Sequence, residues 1–416
     1  MMKFYATAAA IILLLSSTNL AHAQDHEDEK TDPPLSLAHF RLKGYGSINY
    51  FNYNWQTDPT RRDAIDVERF VLYPGYVFNA QFQLKGEIEF EHGGTGITKE
   101  YDRFEEFGEF ETEVESGGEV NVEQLHIVYS PKTSLNFRFG KFKIPFGIVS
   151  VEDEPTEYFT TLKSPAMAEI IPTNWYETGL QVFGKIGTEQ QFSYSLSLVN
   201  GLDATEFSSA NWVMRGMQGK FETINAENMA LALRLDYELK EDWEIGLSGY
   251  LGNSADNRPK PDMDADAYVS IIDGHLNIEE GPITFRAMGL YGHLQNADLV
   301  SDANRNLSNN LNVKRTPVGS AALSYYGELA YDTSQLLGIP DRLDVFGRYE
   351  FYDSMFQVVK GIISDNPRWE RRAITGGLNY KPIDEIVFKA QYTHRWLGLS
   401  NNNIENTFSA GIGFEF

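Results

Sequence analysis

The side chains best suited to chemistry in this chain are cations set among aromatic rings. The stretch Asn136–Gly147, NFRFGKFKIPFG, carries Arg138, Lys141 and Lys143 between Phe137, Phe139, Phe142 and Phe146, in a chain whose formal net charge is −24. Guanidinium and ammonium groups suit oxyanions, Arg through planar paired donors and Lys as a compact charge. Six further cations, Lys85, Lys185, Arg234, Arg286, Arg348 and Lys389, lie on the polar side of alternating apolar and polar stretches. Together with Arg138 they are candidates for lining an aqueous path, in which each cation must hold an anion weakly enough to let it move on. Acids accompany them, among them Glu87, Glu89, Glu91, Glu177, Asp236, Glu238, Asp344 and Glu350. Each cation therefore has a second reading, as an ion-pair partner along or across strands; Lys85 and Arg234 have acids two residues away.

Other chemistry fails on its residues. No H-E-x-x-H, G-x-S-x-G, P-loop or dinucleotide fingerprint is present, and there are no cysteines for a disulfide framework or a thiolate metal site. Asp262, Asp264 and Asp266 begin like a calcium loop, but Ala267 stands where glycine is required and Asp273 where the bidentate glutamate belongs. His126 and His275 share the polar side of their stretches without a nucleophile that sequence assigns to them. No catalytic residue, metal ligand or cofactor is expected, and the acidity argues against nucleic acid as a partner.

The elements that must position these cations alternate with period two, as strands do. In Gln81–Glu91, Phe82, Leu84, Gly86, Ile88 and Phe90 fall on one side and Gln81, Gln83, Lys85, Glu87, Glu89 and Glu91 on the other. Such stretches recur near 42–55, 67–77, 80–91, 119–130, 134–143, 176–186, 191–200, 227–239, 243–252, 267–278, 282–292, 318–331, 342–353, 370–381, 385–396 and 405–416. Their connections alternate between long and short, with 332–341 longer than a short turn should be. That rhythm, an aromatic content of 13% and the ending NTFSAGIGFEF predict an all-β transmembrane antiparallel β-barrel of about sixteen strands, wide enough for an aqueous lumen.

Residues 1–23 read as a secretory signal peptide, with Lys3, the apolar run Ala8–Leu15 and Ala21-His22-Ala23 as a cleavage site. Residues 24–40 read as an acidic flexible lead and 41–416 as the barrel domain, placed by these features in the outer membrane of a Gram-negative bacterium. Counting places Ile144–Trp175 as the third long loop, which carries Glu152, Asp153, Glu154, Glu157 and Glu169 against Lys163 alone. The acidic run Glu105–Glu119 in the second long loop reads as a hydrated surface, and Arg61 and Arg62 as solvated charges beside Asp63 and Asp66. By strict alternation Arg138 and Phe142 face inward, whereas Lys141 and Lys143 share the outward side of Phe139. Lysines are costly in lipid, so either both lie at the rim or a bulge near Gly140 turns them inward.

The element Gly140-Lys141-Phe142-Lys143-Ile144-Pro145-Phe146-Gly147 resembles the GxFKxPFG element of the phosphate-selective porin O/P family. Asn174–Leu180, Val199–Gly201, Gly347–Asp353 and Gly377–Pro382 add weaker likenesses in the same order. The resemblance implies a homotrimeric outer-membrane porin, embedded among lipid and lipopolysaccharide, with an inward-folded third long loop. It also implies basic lining that passes phosphate or polyphosphate, and small anions or other small hydrophilic solutes as partners. The acids of the third loop oppose that selectivity and leave a general or cation-leaning porin as the alternative. A barrel that merely anchors adhesive loops is the reading from another class.

Overall fold

Alternation becomes strand wherever it is sustained, because period two puts one set of side chains on each face of a pleated ribbon. The computed structural model describes residues 39–93, 98–106, 109–115, 118–148, 150–151, 153–187, 189–218, 223–306 and 315–416. The expected signal peptide and nearly all of the acidic lead lie outside these residues. In chain order the strands are β1 (Phe40–Trp55), β2 (Ala64–Val77), β3 (Phe82–Glu91), β4 (Thr98–Glu106), β5 (Glu109–Glu115), β6 (Glu119–Lys132), β7 (Leu135–Lys143), β8 (Tyr176–Ile186) and β9 (Phe192–Asn200). They continue with β10 (Met229–Lys240), β11 (Trp243–Asn253), β12 (Tyr268–Glu280), β13 (Ile283–Leu294), β14 (Ala321–Asp332), β15 (Arg342–Gln357), β16 (Glu370–Ile383), β17 (Ile386–Leu397) and β18 (Ile404–Glu415).

All except β4 and β5 form one closed antiparallel barrel of sixteen strands, in which each pairs with its sequence neighbour and β1 closes on β18. The closing register runs from Tyr45 opposite Glu415 to Trp55 opposite Glu405. Strands β4 and β5 pair with each other in the second long connection, so β3 pairs directly with β6. The acidic run 105–119 falls largely in this hairpin, whose side chains lie outside the described residues.

The tight turns gather at one end of the barrel. Asn79 caps the first of them, its side-chain oxygen accepting from the amides of Gln81 and Phe82 at 2.9 Å each. The turn after β14 is longer because it holds a helical turn, α1 (Ser334–Leu337), ended by Gly338 at φ 65°. The long connections lie at the other end. They contain the helical turn α2 (Pro165–Ala168) between β7 and β8 and the helix α3 (Ala297–Arg305) between β13 and β14.

Leu231, Leu233, Leu247, Leu251, Ile272, Leu329, Ile374 and Phe388 are exposed on the outer face, as a lipid-facing band requires. The inner face is less polar than alternation predicts. Ala230, Ala232, Tyr250, Val269, Ile271, Met288, Leu290, Ala322 and Tyr326, from β10 to β14, are buried in one cluster with Phe142, Ile144, Phe146, Met167, Ile170, Ile171 and Trp175. Trp212, Phe207 and Val300 from the neighbouring loops complete it. This is a core inside the barrel. Each large side chain buried in it contributes about 1.5–3 kcal/mol, so the two ends of the third long connection are held against β10 to β14 by ordinary hydrophobic packing.

Candidate pore lining

The motif at 140–147 owes its path to two glycines. Gly140 has φ +125°, and a Cβ there would lie 2.4 Å from the Leu125 carbonyl oxygen, so no other residue fits without moving the wall. The β6–β7 register nevertheless runs unbroken past it, from Leu125 opposite Lys141 through His126 opposite Gly140 to Ile127 opposite Phe139. The bulge lies one strand away: Glu87 opposes Gln124 while Ile88 opposes Val122, which leaves Glu123 as the extra residue. Lys141 answers it, donating to the Val122 carbonyl at 3.2 Å and pairing with Glu123 at 3.3 Å. Lys143, the last residue of β7, pairs instead with Asp153 of the third connection. The two lysines hold different acids, yet both ammonium groups lie over the buried ring of Tyr176, at 5.9 Å and 5.4 Å.

Gly147, at φ +59°, docks the end of the motif on β10, β11 and β13. Its amide donates to Ser248 Oγ at 3.2 Å, its carbonyl accepts from Arg234, and a Cβ would lie 2.7 Å from Met288 Sδ. Beyond it the connection meets strand after strand. Lys381 donates to the Thr156 carbonyl at 2.7 Å, Arg286 to that of Glu157 at 2.7 Å, and Lys389 to those of Tyr158 at 2.6 Å and Thr160 at 2.8 Å. Gln391 accepts from the Thr161 amide at 3.0 Å, and Phe159 stacks on Phe346 at 5.7 Å. Lumen cations thereby satisfy backbone oxygens that would otherwise be buried without donors.

The nine candidate cations sort into three groups by partner. Arg234, Arg348, Lys141 and Lys143 are ion-paired: Arg234 with Asp236 at 2.7 Å, and Arg348 with Glu328 at 2.5 Å. Arg286 and Lys389 hold loop carbonyls, Arg286 also standing 3.6 Å from Glu279. Lys85, Lys185 and Arg138 have no carboxylate partner among the described residues, so the expectation that Lys85 pairs with an acid two residues along is not met. Arg138 lies over the rings of Phe183 at 5.0 Å and Phe142 at 5.6 Å, with its Nε buried and unbonded. Arg138 and Lys43 are the charged neighbours of Lys85.

Sequence reasoning missed several lumen cations that strand parity reaches. Arg371 pairs with Glu169 at 3.3 Å and lies 4.7 Å over Tyr352. Arg395 pairs with Glu405 and donates to Tyr352 Oη at 3.1 Å. Arg61 is stacked 4.4 Å over Tyr53 and 4.2 Å over Trp55 rather than simply solvated. A cavity of ≈310 Å³ lies between Thr156–Phe159 and Arg286, Arg342, Asn379 and Lys381, toward the tight-turn end.

Asp153 is the charge centre of the third connection. Lys143, Lys163 at 2.5 Å and Arg69 at 3.8 Å surround it, and Tyr73 Oη donates to it at 3.1 Å. Burial would push its carboxyl up, but Lys163, Lys143 and Arg69 outweigh burial and hold it well below the usual carboxylate range.

The groups tested for other chemistry are taken up structurally. Asp262 is held by Arg258 at 2.6 Å and Asp266 by Asn253 at 2.8 Å. His275 bridges Asp273 at 2.7 Å and Asp236 at 2.9 Å, a carboxylate setting that sequence did not assign.

Known proteins fit this architecture. The outer-membrane channel DcaP of Acinetobacter baumannii superposes with a TM-score of 0.57 at 12% identity, covering 92% of this chain and 99% of that one. The anion-selective porin from Comamonas acidovorans superposes with a TM-score of 0.54 at 10% identity, covering 91% and 99%. These likenesses concern the fold. In sequence, a protein of Aquifex aeolicus (strain VF5) described as uncharacterized is 28% identical over 359 residues, 84% of this chain and 74% of that one. The sequence model for phosphate-selective porin O and P matches residues 64–403, which include the glycine-bent motif, the third connection and fourteen of the sixteen barrel strands. With the barrel and its motif in agreement with that match, the chain belongs to the phosphate-selective porin O and P family.

Proposed function

We propose that this outer-membrane porin lets small hydrophilic solutes diffuse passively and favours phosphate-type oxyanions among them. The observation that carries this reading is the group Lys43, Lys85 and Arg138 on the inner face of β1, β3 and β7, which has no carboxylate partner among the described residues. Unpaired cations in water attract anions without holding them tightly, which is what conduction requires. Arg286, Arg342 and Lys381 beside the ≈310 Å³ cavity support the same preference. The third long connection, tied to lumen side chains through Thr156–Thr161, serves in this reading as the constriction. The mechanism is hopping down a gradient, with no nucleotide and no covalent step.

A cation-leaning porin is the second reading, favoured by Glu87 and Glu89, which are buried on the inner face of β3. Reversal potential in planar bilayers under a KCl gradient separates the two. The anion sign is expected, with current reduced by added phosphate; a cation sign with no phosphate effect would refute the preference. A purified protein without ion current would refute the channel itself and favour an adhesive anchor. Assembly as a homotrimer and insertion among lipopolysaccharide belong to the same proposal, and native mass spectrometry in detergent tests the trimer.

A further inference from the structure

Gly246 lets the strands on either side of it meet across the inner face of the wall. In the registers of β10, β11 and β12, Asp236 opposes Gly246 and Gly246 opposes His275, so the three lie in one row. A Cβ at position 246 would lie 2.1 Å from His275 Nε2 and 2.3 Å from Asp236 Oδ1. Glycine leaves that space open, and Nε2 and Oδ1 close over it to 2.9 Å. Glu244 stands two residues from Gly246 and Asp273 two residues from His275, so strand parity puts both on the same face.

A neutral imidazole cannot satisfy both of its neighbours here. His275 Nδ1 faces Asp273 Oδ1 at 2.7 Å and Nε2 faces Asp236 Oδ1, two acceptors for the single N–H that the neutral ring carries. The other nitrogen needs a positive centre between itself and its carboxylate, either a second proton or a metal ion. The surroundings suit the ion. Asp273, 1% exposed, holds the ring through Nδ1 as carboxylates behind metal-bound histidines do, which leaves Nε2 as the ligand. Its Oδ2 is buried without a hydrogen-bond partner. Arg234 takes Asp236 through Oδ2 and leaves Oδ1 toward the ring; its Nη2 reaches Glu244 only at 3.6 Å, and its Nη1 is held by the Gly147 carbonyl. Lys185 is the other cation near Glu244, so three carboxylates outnumber two cations.

Asp236, Glu244 and His275 each place a ligand atom within 4.8 Å of the others. Nε2 and Oδ1, 2.9 Å apart and each about 2.0–2.1 Å from a shared ion, would subtend about 90° at it, the angle between adjacent ligands of an octahedral cation. Glu244, whose side chain is 44% exposed, closes on the ion by rotating in from the lumen, and water takes the remaining positions.

We propose that Asp236, Glu244 and His275 form a binding site for a divalent transition-metal cation on the lumen wall, with Asp273 orienting the histidine and Gly246 making the room. The imidazole nitrogen selects against Mg²⁺ and Ca²⁺, which take oxygen ligands. The ion joins β10, β11 and β12, and its charge offsets carboxylates that otherwise draw cations into the lumen. The site does not depend on the sign of the channel's selectivity.

The experiment is isothermal titration calorimetry of the full chain in detergent with Zn²⁺, for the native protein, His275→Gln, Glu244→Gln and His92→Gln. The native chain is expected to bind one Zn²⁺, with His275→Gln and Glu244→Gln each weakening it at least tenfold. His92→Gln, which alters an exposed histidine beside Asp66, is expected to leave that affinity unchanged. About a hundredfold excess of Mg²⁺ should leave the zinc in place, and displacement overturns the assignment to a transition metal. A native chain that takes up no zinc overturns the proposal and makes His275 an imidazolium held between two carboxylates. Native affinity in either His275→Gln or Glu244→Gln overturns it too, because the ion then sits elsewhere. Should His275→Gln not fold, Glu244→Gln at the exposed edge of the site decides the matter by the same criterion.

Discussion

At the scale of residues, the inner cations differ in what they hold. Arg234 and Arg348 are spent on carboxylates, Arg286 and Lys389 on loop carbonyls, and Lys85 and Arg138 on neither. Charge removal should therefore act unequally. Lys85→Gln with Arg138→Gln is expected to lower the anion-to-cation permeability ratio severalfold and leave thermal stability near native, as reversal potentials and melting curves will read. Arg348→Gln should do the reverse, because it strands Glu328 at 1% side-chain exposure; breaking a buried pair costs about 3–5 kcal/mol. The sequence carried the inward side of these residues through alternation but not their partners. Arg234 and Asp236 lie two residues apart and so were visible as a pair, whereas the Thr160 carbonyl that Lys389 binds lies 229 residues away.

At the scale of elements, the strands were legible and the connections were not. Strand periodicity is local, so β3, β11 and β16 fall where alternation puts them, whereas the apolar inner faces of β10 to β14 answer to loops far away in sequence. Small Ala230 and Ala232 beside Arg234 were the only trace of that cover in β10. The third connection is held by Lys389 through two carbonyls, and Lys389→Met should leave both oxygens buried without that donor, at a cost of about 1–3 kcal/mol each. Single-channel records should then show larger and noisier currents. Asp153 gives the pH dependence its sign. Because its carboxyl lies below the ordinary value in the folded chain, its contribution is present above about pH 4 and disappears as pH falls further. Loop-dependent noise should stay constant from about pH 8 to about pH 5 and rise only in stronger acid.

At the scale of the molecule, outer and inner faces obey different solvents. Leu247 is 55% exposed on the lipid side, and Leu247→Arg should destabilise the barrel by about 2–4 kcal/mol if it lies at the bilayer midplane, as unfolding from lipid vesicles will measure. The strand count followed from loop rhythm because closure leaves no free edge for lipid to meet. The seam of that closure joins β1 to β18, with Gly44 and Phe416 exchanging amide bonds at 3.0 and 2.9 Å. These are the most distant contacts in the sequence, and a loop of that length carries the largest closure entropy. Until β18 is available, β1 presents an unpaired edge that invites pairing with other chains. Assembly of this protein is therefore a race between its own last hairpin and its neighbours.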